Sequence, residues 1–174
     1  MSYCSDLTRE RIMECAKAEF LKKGFQAAQL KDIVAAAKVT TGAVYRHFKD
    51  KEALFFALIE DVYHYTLDFL DNVESYDTVG IKEAIERDSI ESSYMQAMKY
   101  VNYMYEHFEE YQLLLKYSKG SRVENFIEEI ADQYTKQNAQ FVKAAYEAGY
   151  AKCLPSDIEI HILTHGYITA LCEC

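Results

Sequence analysis

The stretch Leu30-Lys31-Asp32-Ile33-Val34-Ala35-Ala36-Ala37-Lys38-Val39-Thr40-Thr41-Gly42-Ala43-Val44-Tyr45-Arg46-His47-Phe48-Lys49-Asp50-Lys51-Glu52-Ala53-Leu54 decides the fold. Ile33, Val34 and Ala37 follow Leu30 at helical spacing. Val39 and Thr40-Thr41-Gly42 interrupt the period, and Val44 and Phe48 resume it at i and i+4. Two short helices joined this tightly cross steeply, as in a helix-turn-helix. Thr40 is the expected N-cap of the second helix, its hydroxyl accepting from the backbone N–H of Gly42 or Ala43. The small side chains of Thr41, Gly42 and Ala43 let that helix end approach another surface, and a DNA major groove is such a surface.

The charges beyond the second helix extend the reading. Asp50 is the expected N-cap of a longer helix, and a lysine at its first position, Lys51, opposes the helix dipole. A DNA phosphate held by the ammonium and the free N–H groups of the helix end would account for it.

Residues 8 to 60 resemble the DNA-binding region of the TetR family of bacterial transcriptional repressors. The resemblance rests on Ala16, Phe20, Gly24-Phe25, Asp32-Ile33, Ala37, Val39, Gly42, Tyr45, His47-Phe48, Lys51-Glu52 and Leu54. It implies that Thr41, Ala43, Tyr45 and Arg46 face bases or backbone, and that Tyr45, His47 and Lys51 bind phosphates. Where the family has a Thr pair opening the second helix, this chain has Ala28 and Gln29, so Gln29 is expected to replace the missing hydroxyl contact. Where the family has a turn glycine, Lys38 must bear a left-handed conformation. The expected DNA-binding set is therefore Gln29, Thr40, Thr41, Gly42, Ala43, Tyr45, Arg46, His47 and Lys51.

One proline and six glycines among 174 residues leave little room for tightly turned sheets, so the fold class expected is all-α. The arrangement expected is an N-terminal three-helix helix-turn-helix head followed by a C-terminal helical ligand-binding and dimerisation bundle. The head is assigned to residues 1–50, the bundle to 51–174, and the first turns of the linking helix, to about residue 65, serve both. Acidic Asp6 and Glu10 without an apolar core argue against a signal peptide, and no apolar run is long enough for a membrane span. Five cysteines, an odd number, fit a reducing cytoplasm. The net charge of −9 is divided unevenly: residues 1–60 hold 10 Lys+Arg and 8 Asp+Glu, the rest 9 and 20. Phosphates should therefore meet one end of the molecule.

Helices are expected at about Thr8 to Lys23, with Gly24 as the C′ residue, and from Lys51 to about Asn72. Others are expected near Ile81 to Asp88, Ser92 to His107 and Glu109 to Tyr117. Two capping boxes, Ser121 with Glu124 and Ser156 with Glu159, should open a long helix ending near Gly149 and the final helix. The last helix runs out at Cys174 with its pattern unfinished, so a shortened or unusually short chain is expected. In the resembled family the last two helices pair with their copies; here Ala145, Ala148, Ile158, Ile162, Gly166 and Ala170 are the expected homodimer contacts.

Thirteen of the 15 tyrosines lie beyond residue 60. Phe69, Tyr94, Met98, Tyr103, Met104, Tyr117, Phe126, Tyr134 and Phe141 are the candidate ligand-binding residues, suited to a small hydrophobic or cationic molecule. No catalytic motif is present, so no enzyme activity is expected. His161 and His165 lie one turn apart near Glu159 and Cys172, but side chains on one helix face cannot surround a tetrahedral ion, and neither metal nor cofactor is expected. The function expected is a cytoplasmic, homodimeric repressor of a pseudo-palindromic double-stranded operator, released by a small-molecule effector. The alternative is a helical sensor or interaction protein with weakened DNA binding.

Overall fold

A computed structural model of the chain describes residues 3–71 and 89–173. Every regular element among the described residues is an α-helix: α1 (Tyr3–Ala27), α2 (Leu30–Ala37), α3 (Thr41–His47), α4 (Lys51–Asp71), α5 (Ser89–Glu106), α6 (Phe108–Lys116), α7 (Phe126–Glu147) and α8 (Asp157–Glu173). The helix expected at Ile81 to Asp88 lies outside the described residues.

The chain forms two compact units, and both are discontinuous: Met1–His64 with His107–Glu124, and Tyr65–Glu106 with Asn125–Cys174. The expected division at residue 50 follows the DNA-reading elements, whereas compactness divides the chain differently. The boundary falls inside α4, and α6 joins the first unit. Lys17 explains the second point, because its ammonium meets Glu109 at 2.8 Å and Glu110 at 3.1 Å. Those hydrogen bonds, Glu109's first, hold the Lys17 pKa above its ordinary value.

In the first unit, Ile12, Ala16 and Phe20 recur at i+4 along α1 and are buried. Gly24 interrupts the helix with φ 74° and ψ 163°, where a side chain would be strained. One more turn follows, closed by Ala28 N–H donating to the Gly24 carbonyl at 3.1 Å. Gly24 thus ends the main run of the helix as expected, and the turn that follows lies beyond a kink. The corner is filled by Phe20, Phe25 and Phe55, with Phe55 edge-on to both others at 5.0 Å between centroids. Burying three such rings contributes several kcal/mol, at about 1.5–3 kcal/mol each.

In the second unit, α7 and α8 pack along their lengths, burying Ile130, Ala131, Ala144, Ala145, Ile160 and Ile168. Asn138 donates to Thr164 at 3.1 Å, and His165 Nε2 meets Glu128 at 3.1 Å. Gln137 Nε2 donates to the Leu70 carbonyl at 2.8 Å and Gln133 to Asp71 at 2.8 Å, tying α7 to the end of α4.

The two capping boxes have different outcomes. Ser156 and Glu159 form theirs: Glu159 Oε2 accepts from Ser156 N–H at 2.8 Å, and Glu159 N–H donates to Ser156 Oγ at 3.3 Å. These bonds, the backbone one first, hold the Glu159 carboxyl below its ordinary pKa. The Ser121 box fails as a helix start. Glu124 reaches back to Gly120 N–H at 2.8 Å, Ser121 Oγ accepts from Val123 N–H at 3.3 Å, and α7 begins only at Phe126. Gly120, at φ 86°, turns its N–H toward Glu124 and draws the carboxylate one residue too far back.

Candidate nucleic-acid interface

Three local devices fix the helix-turn-helix. Thr40 caps α3 as expected, its Oγ1 accepting from Ala43 N–H at 3.1 Å. Lys38 ends α2 in the left-handed region at φ 52° and ψ 44°, while Val39 N–H reaches the Val34 carbonyl at 3.3 Å. Asp50 caps α4, its Oδ1 accepting from Ala53 N–H at 2.7 Å.

These caps orient α3. Val44 and Phe48 are buried under it, which leaves Thr41, Gly42, Tyr45 and Arg46 exposed on the opposite side and Ala43 and His47 half-buried. Tyr45 is 54% exposed, a large aromatic with no covering inside the unit. Gly42 has ordinary helical backbone, and a Cβ added there would meet nothing nearer than Thr40 Oγ1 at 4.0 Å. Among the described residues its small size serves no packing need. Arg9, near the start of α1, stands over the Phe48 ring at 5.4 Å.

Lys51 is placed otherwise than its sequence position suggested. Its ammonium donates to the carbonyls of Phe25 at 2.8 Å and Ala28 at 3.2 Å, and lies 4.3 Å from the Phe25 ring centroid. Two of its three N–H groups are therefore committed to the end of α1. Ala28 is buried. Gln29 is the exposed N-cap of α2, its side chain making no capping bond.

Sequence reasoning missed Arg122. Its backbone N–H donates to Glu52 Oε1 at 3.1 Å, and its guanidinium lies 3.6 Å from the Phe56 ring centroid, holding the segment before α7 onto the first turns of α4. The cluster Lys116-Tyr117-Ser118-Lys119-Gly120-Ser121-Arg122 was the available signal.

The candidate ligand residues do not gather into one lining. Tyr117 belongs to the first unit, its carbonyl accepting from Phe25 N–H at 2.8 Å. Tyr94, Met98 and Phe141 are exposed, Met104 is half-buried, and Phe126 is a fully buried packing residue. Tyr103 stacks on Tyr65 at 3.7 Å and Phe69 on Tyr100 at 4.4 Å. Tyr134 has its pKa raised by burial first, with Tyr167 and Tyr100 adding to it. Nearby in sequence, Gln137 Oε1 is buried and receives no hydrogen bond among the described residues. Among these residues no three His, Cys, Asp or Glu side chains converge on a metal position, and no described helix is long and apolar enough to cross a membrane.

Of the expected dimer residues, Ile158 and Ile162 are 72% and 63% exposed. Gly166 and Ala170 continue their stripe on α8, whereas Ala145 packs inward beside Ala144 and Ala148.

Residues 12–58, from the buried Ile12 of α1 to Leu58 of α4, match the sequence profile of the bacterial regulatory proteins of the tetR family. The match covers the helix-turn-helix region, from within α1 to within α4. Among curated relatives, the HTH-type transcriptional regulator TtgR of Pseudomonas putida is 42% identical over 73 residues, 41% of this chain and 34% of TtgR. AcrR of Shigella flexneri, also an HTH-type transcriptional regulator, is 46% identical over 48 residues, 28% of this chain and 22% of AcrR. The matched region thus spans about a third or less of these relatives' length. NalD, the secondary repressor of the MexAB-OprM multidrug efflux pump in Pseudomonas aeruginosa, shares the fold: TM-score 0.56 and 21% identity over 97% of this chain and 86% of NalD.

Proposed function

We propose that this chain is a tetR-family, homodimeric DNA-binding transcriptional regulator, a repressor released from its operator by a small hydrophobic or cationic molecule. The observation that carries the reading is the face of α3, where Thr41, Gly42, Tyr45 and Arg46 stand clear of the core on a helix fixed by the Thr40 cap. Tyr45, Arg46 and the third Lys51 N–H are the groups for phosphates and base edges, with Gln29 at the α2 N-terminus and His47 beside them. Two such helices presented by a dimer would enter major grooves about 34–36 Å apart on a pseudo-palindrome. The exposed stripe Ile158, Ile162, Gly166 and Ala170 on α8 is the surface for that dimer.

Ligand response rests on the second unit. Among the described residues Gln137 Oε1 is a buried acceptor without a donor, and such groups are costly unless an added partner satisfies them. Tyr65, Phe69, Tyr100 and Tyr103 offer ring faces to a hydrophobic or cationic guest. Because α4 begins in one compact unit and ends in the other, a ligand that shifts its C-terminal turns would shift Lys51 with them. A coupling of about 1–3 kcal/mol is enough to change operator occupancy.

Fluorescence polarisation with duplexes from the chain's own promoter region tests the reading. Binding should weaken steeply with salt, and Arg46→Ala should weaken it further. The second reading, a helical sensor with weak DNA affinity, is favoured by the commitment of Lys51 to carbonyls and by the buried Ala28. Salt-independent or undetectable duplex binding by a well-folded dimer would select it.

A further inference from the structure

Nine basic residues lie beyond residue 60, and three of them, Lys116, Lys119 and Arg122, fall within seven consecutive positions that contain no acid. Those seven residues belong to the compact unit that carries α3, in a remainder of the chain that is otherwise strongly acidic. The segment is firmly seated. Ser118, Ser121 and Val123 are buried, Tyr117 accepts from Phe25 N–H, and an added Cβ at Gly120 would come within 3.3 Å of the Gln26 side chain. What faces outward is the pair Lys116 and Lys119, both exposed, beside a cleft of about 230 Å³ that also takes in Gln26 and Ala27. Lys23 shares the cleft, but Glu19 and Asp32 hold its ammonium at 2.6 and 2.9 Å.

Gln26 lies three residues before Gln29, the α2 N-cap, so the two backbones are separated by at most about 10 Å. A duplex strand carries one phosphate per about 3.4 Å of axis. A strand gripped at the α2 N-terminus and continuing past Gln26 would bring its next few phosphates within reach of two lysine side chains. We propose that Lys116 and Lys119 form a second, sequence-independent DNA contact, extending the interface from the helix-turn-helix outward along the backbone of the flanking duplex. The second half of the chain thereby contributes directly to DNA affinity. The inference rests on the DNA-binding reading above.

The test uses the full chain and a fluorescein-labelled random-sequence duplex of about three helical turns, with affinity followed against salt. Lys116→Gln/Lys119→Gln should lower the magnitude of the log–log salt slope by about 1.8, two contacts at about 0.9 each. Lys99→Gln/Lys136→Gln, a pair of exposed lysines in the other unit, should leave it unchanged. A double variant with the wild-type slope overturns the proposal, as does an equal drop in the control pair. Displacement of the duplex by inorganic phosphate at matched ionic strength, seen in wild type and lost in the double variant, would assign the lysines to a free anion and also overturn it. If the wild-type chain binds no duplex, the function proposed above fails and this contact with it, an outcome distinct from binding with an unaltered slope.

Discussion

The ammonium of Lys51 is 2.8 Å from the carbonyl oxygen of Phe25, and the same group lies over the Phe25 ring. The first residue of α4 thus closes off the end of α1. A charged hydrogen bond of this kind contributes roughly 1.5–3 kcal/mol. Lys51→Met should therefore lower the unfolding free energy of the chain by about 2 kcal/mol in urea melts. An unchanged midpoint would mean that the lysine serves only an external phosphate.

Lys38 holds a left-handed conformation that costs a non-glycine residue on the order of 1 kcal/mol. Lys38→Gly should be neutral to stabilising by up to about 1 kcal/mol, the relieved strain being offset by the extra freedom of glycine in the unfolded chain. Lys38→Val, whose branched Cβ resists that region, should destabilise by about 1–2 kcal/mol. Thermal melts of both variants decide it, and the reverse order would exclude strain at this turn.

Gly42 has room for a methyl group within the chain. Gly42→Ala should raise stability by about 0.5–1 kcal/mol through helix propensity and at the same time weaken duplex binding. A stabilised variant with full DNA affinity would show that nothing approaches α3 closely at that point.

Gly166 offers the same contrast on α8, where an added Cβ meets nothing within 4 Å. Gly166→Leu is expected to leave the helical content of the chain intact while converting dimer to monomer in sedimentation velocity. Ile162→Glu should do the same. Dimers that survive both substitutions would remove this stripe from the interface.

Glu159 carries a lowered pKa because its carboxylate accepts hydrogen bonds from Ser156. Such a group contributes stability that is fully present above its unfolded value, near 4.5, and is lost as pH falls through the lower folded value. Glu159→Gln should destabilise at neutral pH, and the difference from wild type should shrink on acidification below about pH 4.5. Chemical denaturation at a series of pH values checks the sign.

The α2-turn-α3 region was legible because its determinants are local: the Thr40 cap, the Val44 and Phe48 period and the Lys38 corner all lie within a few residues of one another. What escaped is tertiary. Glu109 and Glu110 read as ordinary acids in a helix first turn, and no nearby pattern says that they pair with Lys17, 93 residues from Glu110. Lys51 was assigned to a phosphate because it opposes the dipole of its own helix, and nothing near it in sequence points to the Phe25 and Ala28 carbonyls that take its ammonium. Ser121 and Glu124 have the same spacing as Ser156 and Glu159, yet only the second pair caps a helix. The difference lies in Gly120, whose backbone N–H captures the first glutamate. The packing of Phe126 and Tyr117 escaped because aromatic composition alone does not distinguish a packed core ring from a cavity wall.

The unit that carries α3 includes residues 107 to 124. A ribosome adding about 5–20 residues per second needs roughly 3–12 s to pass from residue 64 to residue 124. Until residue 117 has been added, the nascent head lacks the helix that neutralises Lys17 and the carbonyl that takes Phe25 N–H. The unit that carries α3, although most of it is encoded ahead of residues 107 to 124, is completed late, and a fragment severed after His64 would lose its partners in the same way.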